Sequence, residues 1–483
     1  MSNLRLLQFS IIPTVWAVAL CIRALSSPLR PIPGPWHTHF VNWPLKWYTI
    51  CGKRIYFIDA LHQKYGKIVR IAPGEVSVAT PGAYKQIYSV TSKFTKHEWY
   101  QWFSGHDVPA MFTMTNIKEH AARRKVFARA FRKSQLRANW EPQIQKIANL
   151  AVLRIAEALD ESGRTDIFEW FRFMASDSSG MLMFGDNFHS LETGETHHII
   201  KTISVYLIGA GVGAELSWIP FLAKIIPSSR LHDLFNGWNS VLQYANLAVE
   251  NSRGQRYGTG KTIFGDIIEQ AEKSDKLSDD EIRNEAGNFT VAGTDTTATT
   301  ITYSIYAALL HPDIQKQLEA EVDTLPDGYN DDDVEKLPLL NATIKEAGRL
   351  YGAVQGWYPR VVPEGGAMIE GFLLPQGTTV GAQGYTLYRD PDIFPNPNEF
   401  VPSRWFPESS MSAEAKIVYN PFGPGSRVCL GKHLAEMETR LAVAAFFRKC
   451  KGAALAPETT PESMEFLNFF ATFPKGDKCI IQT

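Results

Sequence analysis

The chain has 483 residues, 45% of them hydrophobic and 12% aromatic, which is enough for one large core, and no linker divides it. A formal net charge of −1 argues against a nucleic-acid binder, which carries a basic balance. Five cysteines, odd in number and widely spaced, do not make a disulfide framework, and no Cys-x-x-Cys pair or His-Glu-x-x-His helix implies zinc.

From Leu6 to Ile22 the chain carries no charge, a stretch at the short end of what spans a bilayer, bracketed by Arg5 and Arg23. A cleaved signal peptide is the competing reading of such a stretch. The proline-rich run Ser26 to Trp36 has the composition of a semi-rigid spacer. Ile68–Ile71 and Glu75–Val78 flank Ala72-Pro73-Gly74 and read as a hairpin. From about Lys118 to His311 the pattern is mostly helical. Its clearest start is Leu277-Ser278-Asp-Asp-Glu281-Ile282, where Ser278 and Glu281 make a capping box and Leu277 with Ile282 a hydrophobic staple. That helix runs until His311-Pro312, where proline opens the next one, a span of roughly 50 Å. Sequons at Asn288 and Asn341 fall inside predicted helices and are expected to stay unmodified. A second sheet segment covers Ala367–Leu373 and Thr378–Gly381, with Leu374-Pro375-Gln376-Gly377 fitting a type I turn. Arg389 to Pro407 is irregular and proline-rich, a kind of loop that tends to be functional. The pattern is mainly α with a minor β portion.

Three motifs carry chemistry. Midway along the long helix, Ala292-Gly293-Thr294-Asp295-Thr296-Thr297 is costly for a helix interior, by a few tenths to about one kcal/mol per glycine or threonine. Gly293 removes bulk where something flat would approach, and a threonine hydroxyl bonding back to a carbonyl opens the helix. Asp295 and Thr296 set an acid and an alcohol beside a groove; the bland alternative is a distorted packing helix with an exposed aspartate. Glu346 and Arg349 stand three apart on one helix face, where they pair. Near the C-terminus, Phe422-Gly-Pro-Gly425-Ser-Arg427-Val-Cys429-Leu-Gly431 puts one cysteine among glycines, two residues after an arginine and before a helix-forming run, Leu434–Lys449. Arginine, a helix start and a metal all lower a thiol's pKa, and glycine lets the backbone approach a flat macrocycle. A buried structural thiol is the usual fate of a lone cysteine. The fixed offsets of Phe422, Gly425, Arg427 and Gly431 reverse that preference in favour of a thiolate ligand to haem iron.

The cysteine segment resembles the haem-binding loop of the cytochrome P-450 superfamily, whose thiolate ligand favours O–O cleavage. The resemblance covers essentially the whole chain and implies a cytochrome P-450 fold, a single domain with an N-terminal membrane anchor. It implies that Cys429 holds the iron of haem b and that Asp295 and Thr296 deliver protons during dioxygen activation. Phe400-Val-Pro402-Ser-Arg404-Trp405 is similar to the segment whose arginine joins Glu346 and Arg349 in a structural cluster behind the haem. His120-Ala-Ala-Arg123-Arg124 resembles the helix that reaches the haem propionates, with His120 where tryptophan is more usual. Arg124, Arg427 and Arg360 are the further propionate candidates.

The proline-rich run resembles the hinge of microsomal members, so residues 1–27 are expected to be an uncleaved anchor, 28–36 a hinge and 37–483 the catalytic domain. A single-pass protein of the endoplasmic reticulum membrane, with its catalytic domain cytosolic, is the implied location. No flavin or iron–sulfur module is present, so electrons are expected from NADPH through a partner flavoprotein reductase. That reductase would be steered by a basic face of Lys118, Arg123, Lys125, Arg129, Arg132, Lys133, Lys432 and Arg440. The segments His97–Phe112, Ile203–Ile226, Ala353–Tyr358 and Phe466–Phe470 correspond to the family's substrate-contacting regions and suggest a large apolar pocket. The expected reaction is hydroxylation, epoxidation or desaturation of a bulky hydrophobic small molecule with O2. The Arg360–Gly366 segment and His120 resemble fungal enzymes of secondary metabolism, pointing to a terpenoid, polyketide or alkaloid. The alternatives are an isomerase or dehydratase of the same family needing no external electrons, and a non-enzymatic haem binder.

Overall fold

In the computed structural model, which describes all residues except 1–14, 16, 105–107, 186, 224, 227, 255–261, 275–276 and 410, helices enclose a central helix, Asp279–Leu309. Ser278 and Glu281 form the reciprocal capping box that starts it, and Pro312 opens the following helix, Pro312–Val322. The central helix packs against Ile167–Phe184, Ser229–Gly254, Pro338–Tyr351 and Lys432–Lys449. It is buried on nearly all sides, so it lacks the single apolar stripe of a surface helix.

The β portion lies to one side. A five-stranded sheet runs in the order Ile68–Ala72, Glu75–Val78, Thr379–Gly381, Arg360–Val361, Thr95–Lys96. Its first pair is the expected hairpin, and Glu75–Ser77 then pairs in parallel with Thr379–Gly381. The second β segment differs from the sequence reading. Glu370 and Gly371, both at positive φ, close a hairpin of Ala367–Ile369 on Phe372–Leu374, while Thr379–Gly381 leaves for the larger sheet. The Leu374–Gly377 turn therefore joins two sheets and not the arms of one hairpin. A further hairpin, Phe466–Asn468 with Thr472–Pro474, projects its tip toward the aromatic segment around Tyr100.

The anchor expectation is corrected. Among the described residues no helix is long and apolar enough to cross a membrane. Of residues 1–27, positions 1–14 and 16 lie outside the described residues, and the described helix over 17–26 spans about 15 Å, half of a hydrocarbon core, and carries exposed Arg23. The single-pass topology, the endoplasmic reticulum membrane location and the membrane as a partner rested on that helix and fall with it. Nor is the proline-rich run a free spacer. Leu29 and Ile32 are buried in the sheet-side core, and the Arg70 guanidinium donates to their carbonyls at 2.8 and 3.0 Å.

Candidate active site

The Cys429 loop is held through its backbone. The Cys429 N–H donates to the Phe422 carbonyl at 2.8 Å, and Arg124 Nη1 donates to the Val428 carbonyl at 2.7 Å. Arg427 reaches across to the carbonyls of Met114, Thr115 and Asn116, joining the loop to the start of the Ile117–Phe127 helix. Gly425 sits at φ 62°, where a Cβ would lie 1.9 Å from the Tyr88 carbonyl oxygen, so only glycine serves there. At Gly431, by contrast, a Cβ would meet only Cys429 Sγ at 3.9 Å. Within the chain nothing demands glycine at 431. The Cys429 side chain has accessible surface, yet enclosure by the surrounding protein pushes its thiol above the ordinary value despite the Gly431 N–H and Arg124.

Beside this loop, cations gather around His120. His120 is buried, and its pKa is pushed down to about 3, first by burial and then by Arg427, Lys96, Arg124 and Arg360. Arg427 is lowered to about 10 by burial, Arg360 and Arg124. Lys96, buried in the last strand of the five-stranded sheet, is driven well below its usual range by burial, Arg360 and Arg427. It donates to the Phe112 carbonyl at 2.6 Å and lies over the Tyr100 and Phe112 rings at 4.0 and 4.4 Å. The charged groups acting on His120 are all cationic, a donor set that suits the two carboxylates of a haem. Sequence reasoning missed Lys96, because a lone lysine in a two-residue strand carries no motif.

The Glu346 cluster is the opposite. Glu346 accepts from Arg349 at 2.9 and 2.7 Å, Arg404 Nε at 2.9 Å, Val401 N–H at 3.0 Å and Trp405 Nε1 at 2.7 Å. Burial alone would raise its carboxyl; the Arg349, Val401 and Arg404 contacts outweigh burial and hold it below the usual value. Fully buried Arg349 also donates to the carbonyls of Tyr388, Pro397 and Glu399. The Tyr388 hydroxyl in turn accepts from the Asn420 N–H at 3.0 Å, two residues before Phe422. The cluster thus reaches the cysteine loop through Tyr388.

On the central helix the structure separates Asp295 from Thr296. Successive helical residues point about 100° apart. Thr296 shares a partly open face with exposed Ala292 and donates to the Ala292 carbonyl at 2.7 Å. Asp295 is buried against two other helices. Arg172 Nε of Ile167–Phe184 lies 3.2 Å from it, and the Ser204 hydroxyl of His198–Glu215 donates to it at 2.9 Å. Burial raises the Asp295 carboxyl, with Arg172 and Ser204 opposing. Gly293 serves helix packing, since a Cβ there would lie 2.4 Å from Ser179 Oγ. Its missing side chain faces Ser179 of the neighbouring helix.

A cavity of about 570 Å³ opens between the Trp43–Ile50 and Arg54–Tyr65 helices, the end of His198–Glu215 and the Phe469–Phe470 tip. Phe470, at φ 114°, packs its ring against Phe103 and Phe112 at 5.3 and 5.4 Å. The His97–Phe112, Ile203–Ile226, Ala353–Tyr358 and Phe466–Phe470 segments all contribute to this wall, but charged side chains join them. The basic face is smaller than expected. Arg123 is buried in pairs with Glu281 and Glu285, Arg440 with Asp331, and Lys133 is paired with Glu335. Lys118, Lys125, Arg129 and Arg132 stay exposed.

Comparison with known proteins agrees with this geometry. The family model described as Cytochrome P450 matches residues 33–480. The chain is 37% identical to cytochrome P450 monooxygenase aflV of Aspergillus parasiticus, over 97% of this chain and 94% of that one. It is 36% identical to cytochrome P450 monooxygenase stcB of Emericella nidulans, over 95% and 89%. It is also 30% identical to tryprostatin B 6-hydroxylase of Neosartorya fischeri, over 88% and 77%.

Proposed function

We propose, because this chain belongs to the cytochrome P450 family, that Cys429 is the iron ligand of its haem b and that the reaction is hydroxylation. The protein is a haem-thiolate monooxygenase of a hydrophobic secondary-metabolite substrate, supplied with electrons from NADPH by a reductase. The observation that carries the site assignment is the Cys429 thiol on a loop clamped by Arg124 and Arg427, beside His120, on which only cations act.

Haem bound there supplies dioxygen activation at a sulfur-ligated iron. Cys429 gives up its proton on coordination, since burial alone holds it as a thiol. Lys96, Arg124, Arg360, Arg427 and the His120 ring would hold the propionates, and the open positions at Gly431, Ala292 and Thr296 would leave room for a flat ring. Thr296 Oγ1 holds a proton on the open face of the central helix. Asp295 stores one behind it, and Arg172, which also lies 3.7 Å from exposed Asp477, connects that carboxylate to the surface. Glu346, Arg349 and Arg404 fix the backbone that presents Cys429. Exposed Lys118, Lys125, Arg129 and Arg132 are the reductase-facing charges.

The carbon monoxide difference spectrum of the reduced protein tests the ligand. Wild type gives the red-shifted Soret band of thiolate-bound haem and Cys429→Ala lacks it; a band surviving in the variant would overturn the assignment. Consumption of NADPH with a reductase and a hydrophobic metabolite separates the monooxygenase from an electron-independent isomerase.

A further inference from the structure

The cavity that opens between the Trp43–Ile50 and Arg54–Tyr65 helices is not the purely apolar pocket that the sequence suggests. Two cations converge on one residue at its wall. Arg54 pairs with the Glu215 carboxylate, and Lys46 Nζ donates to the Glu215 backbone carbonyl at 2.6 Å. Trp99 Nε1 also donates to that carboxylate at 3.0 Å. Arg54 further approaches Glu75 at 3.8 Å and lies over the Trp357 ring at 5.2 Å. Glu215 is the last residue of its helix, where the macrodipole disfavours a carboxylate. It is kept there by the cations in front of it, as a counter-ion would be.

The charges match in number but not in pairing. Arg23, Lys46 and Arg54 line the cavity against Glu98, Glu215 and Glu75, with His97 lowered by burial and so neutral. Enclosure raises Glu75 to about 7, so near neutral pH it supplies only part of a negative charge. Among the described residues Lys46 has no carboxylate within ion-pair distance. The rest of the wall is flat and aromatic, with Trp99, Trp102, Trp357 and Phe470.

From this geometry we infer that the cavity is a binding subsite for a substrate with an aromatic body and an acidic oxygen, a carboxylate or phenolate, gripped by Lys46 and Arg54 in place of Glu215. The inference rests on the monooxygenase reading and names its substrate class. An incoming oxyanion takes hydrogen bonds from both cations, while the aromatic walls take the ring system. Glu215 is the competitor that the substrate displaces, and its carboxylate keeps Arg54 paired when no ligand is bound.

The test is equilibrium binding to the haem-loaded full chain of two fluorescent probes matched in shape, 1-pyrenebutyrate and 1-pyrenebutyramide. Wild type is expected to bind the acid about tenfold more tightly than the amide. Lys46→Gln, which keeps a donor for the Glu215 carbonyl, and Arg54→Gln should cut that ratio to below about threefold with little change for the amide. Glu215→Gln should raise it, an opposite sign that a purely structural role would not produce. Equal affinities in wild type, or a preference that survives both cation substitutions, would overturn the inference. A holoenzyme that shows the thiolate carbon monoxide band and fails this titration loses only the substrate class. Loss of the band removes the function itself.

Discussion

Buried arginines do two different jobs in this molecule. Around Glu346 the arginines find their partners inside the chain, with Arg349 and Arg404 sharing one central carboxylate and the remaining donors on backbone carbonyls. Around His120 the cations Lys96, Arg124, Arg360 and Arg427 lie together, and on the proposed reading the carboxylates that would neutralise them are those of the haem. A network with a carboxylate at its centre builds a fold, whereas a cluster that lacks one is, on the proposed reading, a site for an anion. Burial is common to both, so the presence of a central carboxylate is the feature that separates them.

Breaking the closed network should have the largest effect. Glu346→Ala leaves Arg349 and Arg404 buried without an anion, a loss of about 3–5 kcal/mol. Haem content and circular dichroism of the purified protein should show little folded holoenzyme; a well-folded, haem-loaded variant would erase the distinction. The open cluster should behave the other way. Arg427→Ala loses the bonds to the Met114, Thr115 and Asn116 carbonyls but relieves repulsion, so it is expected to cost the haem-free protein far less than Glu346→Ala while weakening haem binding roughly tenfold or more. Thermal melting of apoprotein and a haem titration read these separately. Parallel losses in both would make Arg427 a structural residue like Arg349.

Two smaller tests probe intermediate cases. Asp295 has one full cation partner, Arg172, which itself leans toward Asp477, 78% exposed. Arg172→Ala should lower product formed per NADPH consumed by about tenfold and shift the pH profile, with haem content unchanged. An unchanged profile would detach Asp295 from proton delivery. Glu438 is a buried acid with no cation partner among the described residues, held by the Ser178 hydroxyl and raised to about 7 by burial. Its native pKa lies above its ordinary 4.5, so its stabilising contribution is complete below that value and is lost as pH rises through about 7. Glu438→Gln should therefore melt at a higher temperature than wild type at pH 8, by about 1 kcal/mol or more, with the difference closing toward pH 5.

Sequence alone made the skeleton of the site legible because its signals are local. A capping box at Ser278, a Glu–Arg pair three residues apart and a cysteine among glycines each depend on neighbours within one turn or loop. The same reasoning placed Asp295 beside Thr296, since adjacency in sequence suggests adjacency in space. Helical phase sends them to different faces, and only the packing of three helices decides that Arg172 and Ser204 receive Asp295. Gly293 faces Ser179 for the same reason.

What the sequence by itself determined about this protein is its family, its mainly helical character and the residues that carry its motifs. Tertiary structure alone decided the rest: the closed charge network and the open one, Lys96 among the cations, Arg123 and Arg440 buried away from the surface, and Glu215 facing Arg54 across the cavity. A motif is written by short-range geometry that composition and spacing preserve. The sign of the field at a site is a sum over side chains brought together from distant segments, and no single segment holds that sum.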